Sequence, residues 1–458
     1  RMKFPTMPVE PRKAANGTAP DGSGDLFGND FRNAYVPGTT LTGAGQCVGL
    51  VEFDGYFTND IYNYAKKAGG GRTNIVIERV LLDNYNGKPS TGLNGGEGET
   101  ELDIEMAMTI APGLAKIVSY EAGEEGNQNT VLNAMLANSN VLNLSCSWGW
   151  AGPSTNTDAI FLSMDAVGQT FFNASGDTGA YTTGSNSVNA VDYPPNLNSP
   201  SSNPYITQVG GTTLTMNSAG NAWSSEVVWS YTSGGISSFY SIPSWQTNVN
   251  NLIGRGGSTG FRNIPDVAAN ANNIYELYND GDTNSIAVDD NQGTSGAAPL
   301  WASFMALVNQ QSAANGGASA GFINPALYAL AAGANYARYF HDITVGNNTW
   351  SGSPHLFYAT NNYDLCSGLG AMNGTNLIAA LASSAPASPA ITSSLSAGNL
   401  LITWTTQPRV SYQLQYATSL IPADWSNLGP ATNATGSVAS MVDSLTNAER
   451  FYRVLVVP

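Results

Sequence analysis

Ser295 stands in the run Gly293-Thr294-Ser295-Gly296-Ala297-Ala298-Pro299, a glycine-preceded turn that opens into a long apolar helix. A serine hydroxyl becomes a good nucleophile only when a base takes its proton, and the free N–H groups at a helix N-terminus suit a developing oxyanion. The turn is therefore a candidate acyl-transfer site. In most serine hydrolases the base is histidine. Here the histidines are His341 and His355, both C-terminal to the serine, so another base is needed.

Carboxylates offer one. Glu97, Glu99, Glu101, Asp103 and Glu105 occupy every other position across a helix start. On a helix, Glu99 and Asp103 face one way, and Glu101 and Glu105 another. Two carboxylates on one face repel, so one keeps its proton to higher pH and the pair can act as a base that still shuttles protons in acid. The plain alternative is a solvated helix face. Asp177, in Ala174-Ser175-Gly176-Asp177-Thr178-Gly179 after a buried strand, reads from the residues alone as a turn cap. Glu52 ends a buried strand, where an unpaired charge is costly, and so calls for a partner. Asp342 and Asp364 read as surface residues or as carboxylate ligands for calcium in a carbonyl-rich loop.

The elements that must hold these groups alternate. Residues 47–53, 75–82, 117–120, 141–147 and 171–173 read as strands; 58–67, 99–110, 130–137 and 295–313 read as helices, the last tolerating Pro299 in its first turn. Such alternation predicts a doubly wound α/β sheet with its site at the C-terminal strand ends. At 383–389 the composition changes to a small-residue, proline-containing linker. Residues 400–404, 412–416 and 451–455 beyond it read as short strands of a fibronectin-type-III-like β-sandwich.

The chain has 458 residues, 42% of them hydrophobic and only 11% charged, with a formal net charge of -16. That charge argues against nucleic-acid or anionic-membrane binding and suits an acidic medium. No apolar run reaches the ~18 residues of a membrane span. Cys47, Cys146 and Cys366 read as buried small hydrophobes with at most one bridge.

Taken together the motifs resemble the sedolisins, or serine-carboxyl peptidases, near the kumamolisin type. The resemblance rests on Gly-Glu-x-Glu-x-Asp at 98–103, Ser-Gly-Asp at 175–177, Gly-Thr-Ser at 293–295, Ser233-Gly234-Gly235, Pro243-Ser244-Trp245-Gln246, Pro265-Asp266-Val267-Ala268, Phe340-His341-Asp342-Ile343-Thr344, and Tyr363-Asp364 before Cys366-Ser367-Gly368. It implies a subtilisin-like, mostly parallel α/β sheet flanked by helices. It also implies a secreted, acid-acting endopeptidase that cleaves proteins or peptides as a monomer. In that resemblance Ser295 is the nucleophile, Glu99 its base and acid, Asp103 the group orienting Glu99, and protonated Asp177 the oxyanion donor. Glu52 and Trp148 extend the hydrogen-bond network, and Ser233, Gly234 and Gly235 lie along the substrate. One calcium ion would be held by the side chains of Asp342 and Asp364 and the carbonyls of Ile343, Thr360 and Asn362. Gly296 departs from the family's usual Ala, and Thr360 and Asn362 from its Gly.

The organisation expected is a leader or propeptide remnant at 1–30, a catalytic domain at 31–384, a linker at 385–390, and, outside the resemblance, a β module at 391–458 that tethers the enzyme to a surface or substrate or acts as a spacer. A subtilisin-like triad is rejected for want of an early histidine. An inactive binding protein remains the alternative of another class.

Overall fold

Along the strand that ends at Glu52, Val48 and Leu50 face one hydrophobic cluster while Val51 faces a second. A strand buried on both faces belongs to a sheet covered by helices on two sides. The computed structural model describes residues 15–90, 96–150, 154–180, 202–278, 288–349, 357–382, 388–396, 398–406, 411–420, 424–434, 436–444 and 449–457. Its strands run β1 Cys47–Glu52, β2 Val76–Leu81, β3 Lys116–Glu121, β4 Asn143–Cys146, β5 Thr170–Ala174, β6 Thr207–Met216, β7 Trp223–Val228, β8 Gly235–Ser241, β9 Phe261–Ile264 and β10 Val267–Asn270. The central sheet has the order β10-β6-β5-β4-β1-β3-β2, all parallel, with β7 antiparallel on β6.

The helices are α1 Asn29–Tyr35, α2 Thr58–Ala68, α3 Glu97–Ile110, α4 Gln128–Ala137, α5 Thr155–Val167 and α6 Thr294–Ala314. Helix α6 packs on α3 and on β4, β5, β6 and β10, with Leu300, Trp301, Phe304, Met305, Leu307 and Val308 fully buried. Helix α3 is apolar on no single face, yet nearly all of it is buried, including Glu97, Glu99, Glu101, Asp103 and Glu105. Carboxyls inside a protein need hydrogen bonds or protons, so the solvated-face alternative is overturned.

The chain divides into two compact units, Arg1–Ala314 with Ser319–Ala382, and Asn315–Ala318 with Ser383–Pro458. The second carries one antiparallel sheet of Ile391–Ser396, Asn399–Thr405 and Val438–Ser444, and another centred on Ser411–Ala417. Ile402 and Trp404 of the first share a small core with Tyr412 and Leu414 of the second. Of the 1–30 leader segment, residues 1–14 lie outside the described residues, as do 385–387 of the linker. Residues 15–30 pack into the first unit: Leu26 is fully buried and bridges to Ile274, and the Met216 N–H donates to the Ala15 carbonyl at 2.8 Å. All three cysteines are free thiols. Among the described residues, no helix is long and apolar enough to cross a membrane.

Candidate active site

Three strand ends and two helix N-termini meet at the candidate site. Because β1 and β4 pair in parallel with Val51 opposite Cys146, Glu52 and Ser147 emerge side by side at the C-terminal edge. Ser175, Gly176 and Asp177 follow β5 at the same edge. Helix α3 brings Glu99 and Asp103, and α6 brings Ser295.

Glu52 is fully buried. Its Oε2 accepts from the Trp148 indole Nε1 at 3.0 Å and from the Thr100 hydroxyl at 3.1 Å. Asp103, also fully buried, accepts at Oδ1 from the Ser147 hydroxyl at 2.7 Å. The remaining oxygens, Glu52 Oε1 and Asp103 Oδ2, receive no donor from the other described groups. A proton held between the two carboxyls satisfies both, and Asp103 does accept a hydrogen bond from Glu52. Burial, then the charge of Asp103, holds the Glu52 carboxyl well above its usual range; burial, then the charge of Glu99, does the same to Asp103. Glu99, 8% exposed, acts electrostatically on Glu52, Asp103 and Asp177 alike and so sits among them.

Ser295 is 3% exposed in the first turn of α6. Pro299 lies beyond that turn rather than in it, and its missing N–H is the one that would have bonded the Ser295 carbonyl. The Ser147 hydroxyl lies 3.3 Å from that carbonyl instead. One side chain thereby lies between Asp103 and the Ser295 backbone.

Asp177 Oδ1 accepts from the Thr294 N–H at 2.8 Å and the Thr294 hydroxyl at 2.7 Å, and that hydroxyl in turn accepts from the Gly176 N–H at 3.1 Å. With Oδ1 engaged, Oδ2 is left to carry a proton. It lies beside Gly293: a Cβ there would sit 3.0 Å from Oδ2, and the backbone φ is +154°, which together account for glycine at this position. Burial raises the Asp177 carboxyl to about 7, against the lowering effect of the Thr294 bonds and with a further upward push from Glu99.

Glu101 and Glu105 point away from this group. Glu101 Oε1 accepts the Phe57 N–H at 2.6 Å, where α2 starts without a capping side chain of its own, and Glu105 accepts the Leu277 N–H at 3.2 Å. Burial holds Glu101 up at about 10 and Glu105 well above its usual range.

Ser233 is fully buried and braces the Asp177 turn: its N–H donates to Gly176 at 2.7 Å, its carbonyl accepts from the Ser175 hydroxyl at 2.7 Å, and its hydroxyl accepts from the Thr178 N–H at 3.2 Å. Gly234 bridges to Ala180, and a Cβ on it would lie 1.9 Å from the Leu365 carbonyl. Gly235 opens β8.

The residues expected to hold calcium gather elsewhere, Asp342 and Ile343 just after the short strand Phe340–His341 and the others on the 360–367 loop. Asp342 accepts the Asn362 N–H on both oxygens at 3.0 Å. Asp364, fully buried, accepts from Thr360 N–H at 3.0 Å, Cys366 N–H at 2.9 Å and Ser367 N–H at 2.8 Å. Ile343 is 1% exposed, and the Thr360 hydroxyl is buried without a partner among the described residues. No group of three or more His, Cys, Asp or Glu side chains suited to a metal occurs among the described residues. A calcium site there would need carbonyl ligands, and two aspartates with an orphaned hydroxyl and a carbonyl-rich loop fit that hard-oxygen chemistry.

Ser147, Thr294 and Thr100 hydrogen-bond to Asp103, Asp177 and Glu52, and sequence reasoning gave them no such place. Ser147 adjoins Trp148 and Thr294 adjoins Ser295, so adjacency was the available signal.

The chain is 35% identical over 375 residues to kumamolisin from Bacillus sp. (strain MN-32), a match covering 78% of this chain and 63% of that protein. It is 28% identical over 403 residues to sedolisin from Pseudomonas sp. (strain 101), covering 82% of this chain and 64% of that one. The solved structure of Pseudomonas sedolisin, a serine-carboxyl proteinase complexed with two molecules of pseudo-iodotyrostatin, superposes with a TM-score of 0.65 at 26% identity, covering 79% of this chain and 99% of that chain. The chain belongs to the sedolisin family. It spans just under two thirds of the length of these two curated sedolisin relatives, and no family model matches it. One departure from the usual sedolisin motif has a local cause: a Cβ on Gly296 would lie 2.4 Å from Ile274 Cδ1, so Ile274 fills the space an alanine would take.

Proposed function

We propose that this sedolisin is a secreted, acid-acting endopeptidase. In the reaction, the Ser295 hydroxyl passes its proton to Glu99 as Oγ attacks the scissile carbonyl carbon. The carbonyl π pair moves to oxygen, and the Asp177 carboxyl donates its proton in a hydrogen bond to that oxyanion. Collapse of the tetrahedral adduct breaks the C–N bond, the amine leaving with the proton that Glu99 returns. Water then repeats the sequence on the acyl-enzyme. Asp103, sharing a proton with Glu52 and anchored by Ser147, orients Glu99; Trp148 fixes Glu52. The single observation that carries this reading is the chain of contacts from Glu52 through Asp103 and Ser147 to the Ser295 carbonyl, with Asp177 hydrogen-bonded to the adjoining Thr294.

Ser233, Gly234 and Gly235, beside the Asp177 turn, would line the path of the peptide. Asp342 and Asp364, with the carbonyls of Ile343, Thr360 and Asn362, would hold one calcium ion, which supplies charge neutralisation and rigidity to that loop rather than chemistry at Ser295. The 391–458 module would tether the enzyme to a surface or substrate. The test is digestion of an unfolded protein across pH 3–8 with sequencing of the fragments: internal cleavage on the acid side of neutrality supports the reading, and no cleavage at any pH refutes it.

A further inference from the structure

We infer that Asp54 is the positioning residue that fixes the start of α3 and hence Glu99; the inference rests on the reading of Glu99 as the base. Helix α3 opens on Gly96, which has no side chain to accept one of the helix's free N–H groups. Asp54, 7% exposed, supplies the cap from a different segment: its Oδ2 accepts the Gly96 N–H at 2.9 Å and the Ser90 hydroxyl, whose oxygen shares that Gly96 N–H at 2.9 Å. Its Oδ1 accepts the Gly55 N–H at 2.7 Å, the Tyr85 hydroxyl at 3.0 Å and the Ser90 N–H at 3.0 Å. These donors, with the Tyr85 hydroxyl shared between Asp54 and the Lys88 carbonyl, hold the carboxylate in a single orientation, and an anion at a helix N-terminus is favoured by the helix dipole.

The approach is close. A Cβ on residue 96 would lie 2.8 Å from Asp54 Oδ2, 2.9 Å from Asp54 Cβ and 3.0 Å from the Trp148 ring, so glycine at 96 serves contact, its φ being an ordinary -94°. One turn into the helix, the Thr100 hydroxyl lies 3.3 Å from the Asp54 carbonyl and 3.1 Å from Glu52 Oε2. The short segment from Glu52 to Asp54 therefore sets two things together: the carboxyl that shares a proton with Asp103, and the height and rotation of the helix turn that bears Glu99. Asp54 touches none of the reacting groups.

The test compares Asp54→Ala and Asp54→Asn with the wild type and with Glu99→Gln. It measures kcat and KM on a peptide substrate per competent site, counted by titration with a peptide aldehyde. Misplacing a base by an ångström costs on the order of 10²-fold, so kcat of Asp54→Ala is expected to fall about tenfold to a hundredfold while KM changes less than about threefold. Asp54→Asn keeps one acceptor oxygen, and its kcat should lie between the two. Should Asp54→Ala not fold, the double variant Tyr85→Phe with Ser90→Ala strips donors from the intact carboxylate, and the second change also takes the Ser90 oxygen from the Gly96 N–H, so it should lower kcat in the same sense. Wild-type kcat per site in Asp54→Asn and in the double variant, or an effect on KM alone, overturns the inference while an inactive Glu99→Gln leaves the base assignment standing. Wild-type turnover in Glu99→Gln overturns both.

Discussion

Replacing Asp177 by asparagine separates the proposed oxyanion donor from every other titrating group in the site. Burial lifts the Asp177 carboxyl to about 7 from the 3.8 of an exposed aspartate. The donor form is therefore nearly complete at pH 5, about half populated at pH 7 and about one part in a hundred at pH 9. Each pH unit above 7 should cost the wild type about tenfold in kcat/KM, ~1.4 kcal/mol. The asparagine amide fits the same place: its oxygen can accept from Thr294 N–H and hydroxyl as Oδ1 does, and its NH2 stands where Oδ2 lies beside Gly293. It donates at every pH. Asp177→Asn should lose rate at the optimum, because an amide is a weaker donor than a carboxylic acid. Its ratio to wild type should then rise about fiftyfold between pH 7 and pH 9. The assay is kcat/KM on an internally quenched peptide from pH 3 to 9, each preparation checked for folding at each pH. Parallel alkaline limbs for the two proteins would refute the role given to Asp177.

Ser147→Ala removes the donor to Asp103 and the bridge to the Ser295 carbonyl, and should lower kcat by about tenfold or more with little change in melting temperature, as kinetics and a thermal scan will show. Glu101 has its folded value raised to about 10 from 4.5, so its contribution to stability is whole below about pH 4.5 and is lost as pH rises towards 10. Melting temperature should accordingly fall from pH 4 to pH 9, and Glu101→Gln, which keeps an oxygen for the Phe57 N–H, should gain several degrees on the wild type at pH 9 and none at pH 4; equal differences at both would contradict this. Chelation should lower the melting temperature, since a metal at a hundredfold excess over its dissociation constant stabilises the folded state by about 2.7 kcal/mol; metal analysis finding no calcium, with no shift on adding it, would leave Asp342 and Asp364 as loop braces.

The parallel sheet was legible because its strands are continuous apolar runs separated by helix signals, and β1, α2 and β3 lie within a residue or two of where those signals put them. Helix α3 begins at Glu97, earlier than its apolar pattern suggests, because its cap comes from Asp54, more than forty positions away in sequence. The facing of Glu99 and Asp103 against Glu101 and Glu105 followed from helical spacing. Their burial did not, since five acidic residues in a row of alternate positions look solvated until the partners are known: Phe57 N–H, Leu277 N–H, Ser147 and Glu52 come from four other segments. The value of Asp177 was hidden for the same reason, because desolvation is a property of what packs around a group and not of its neighbours in the chain. Pro299 looked like a first-turn proline; only the placement of Ser147 reveals that its missing N–H leaves the Ser295 carbonyl open to another donor.

The most direct measurement is the turnover of Ser295→Ala, in a preparation shown by circular dichroism and thermal melting to be folded, on an unfolded protein substrate at acidic pH. The account predicts a loss on the order of a thousandfold or more relative to wild type, since the neighbouring hydroxyl at the start of α6, that of Thr294, is committed to Asp177 and the Gly176 N–H. Wild-type turnover by folded Ser295→Ala would contradict it.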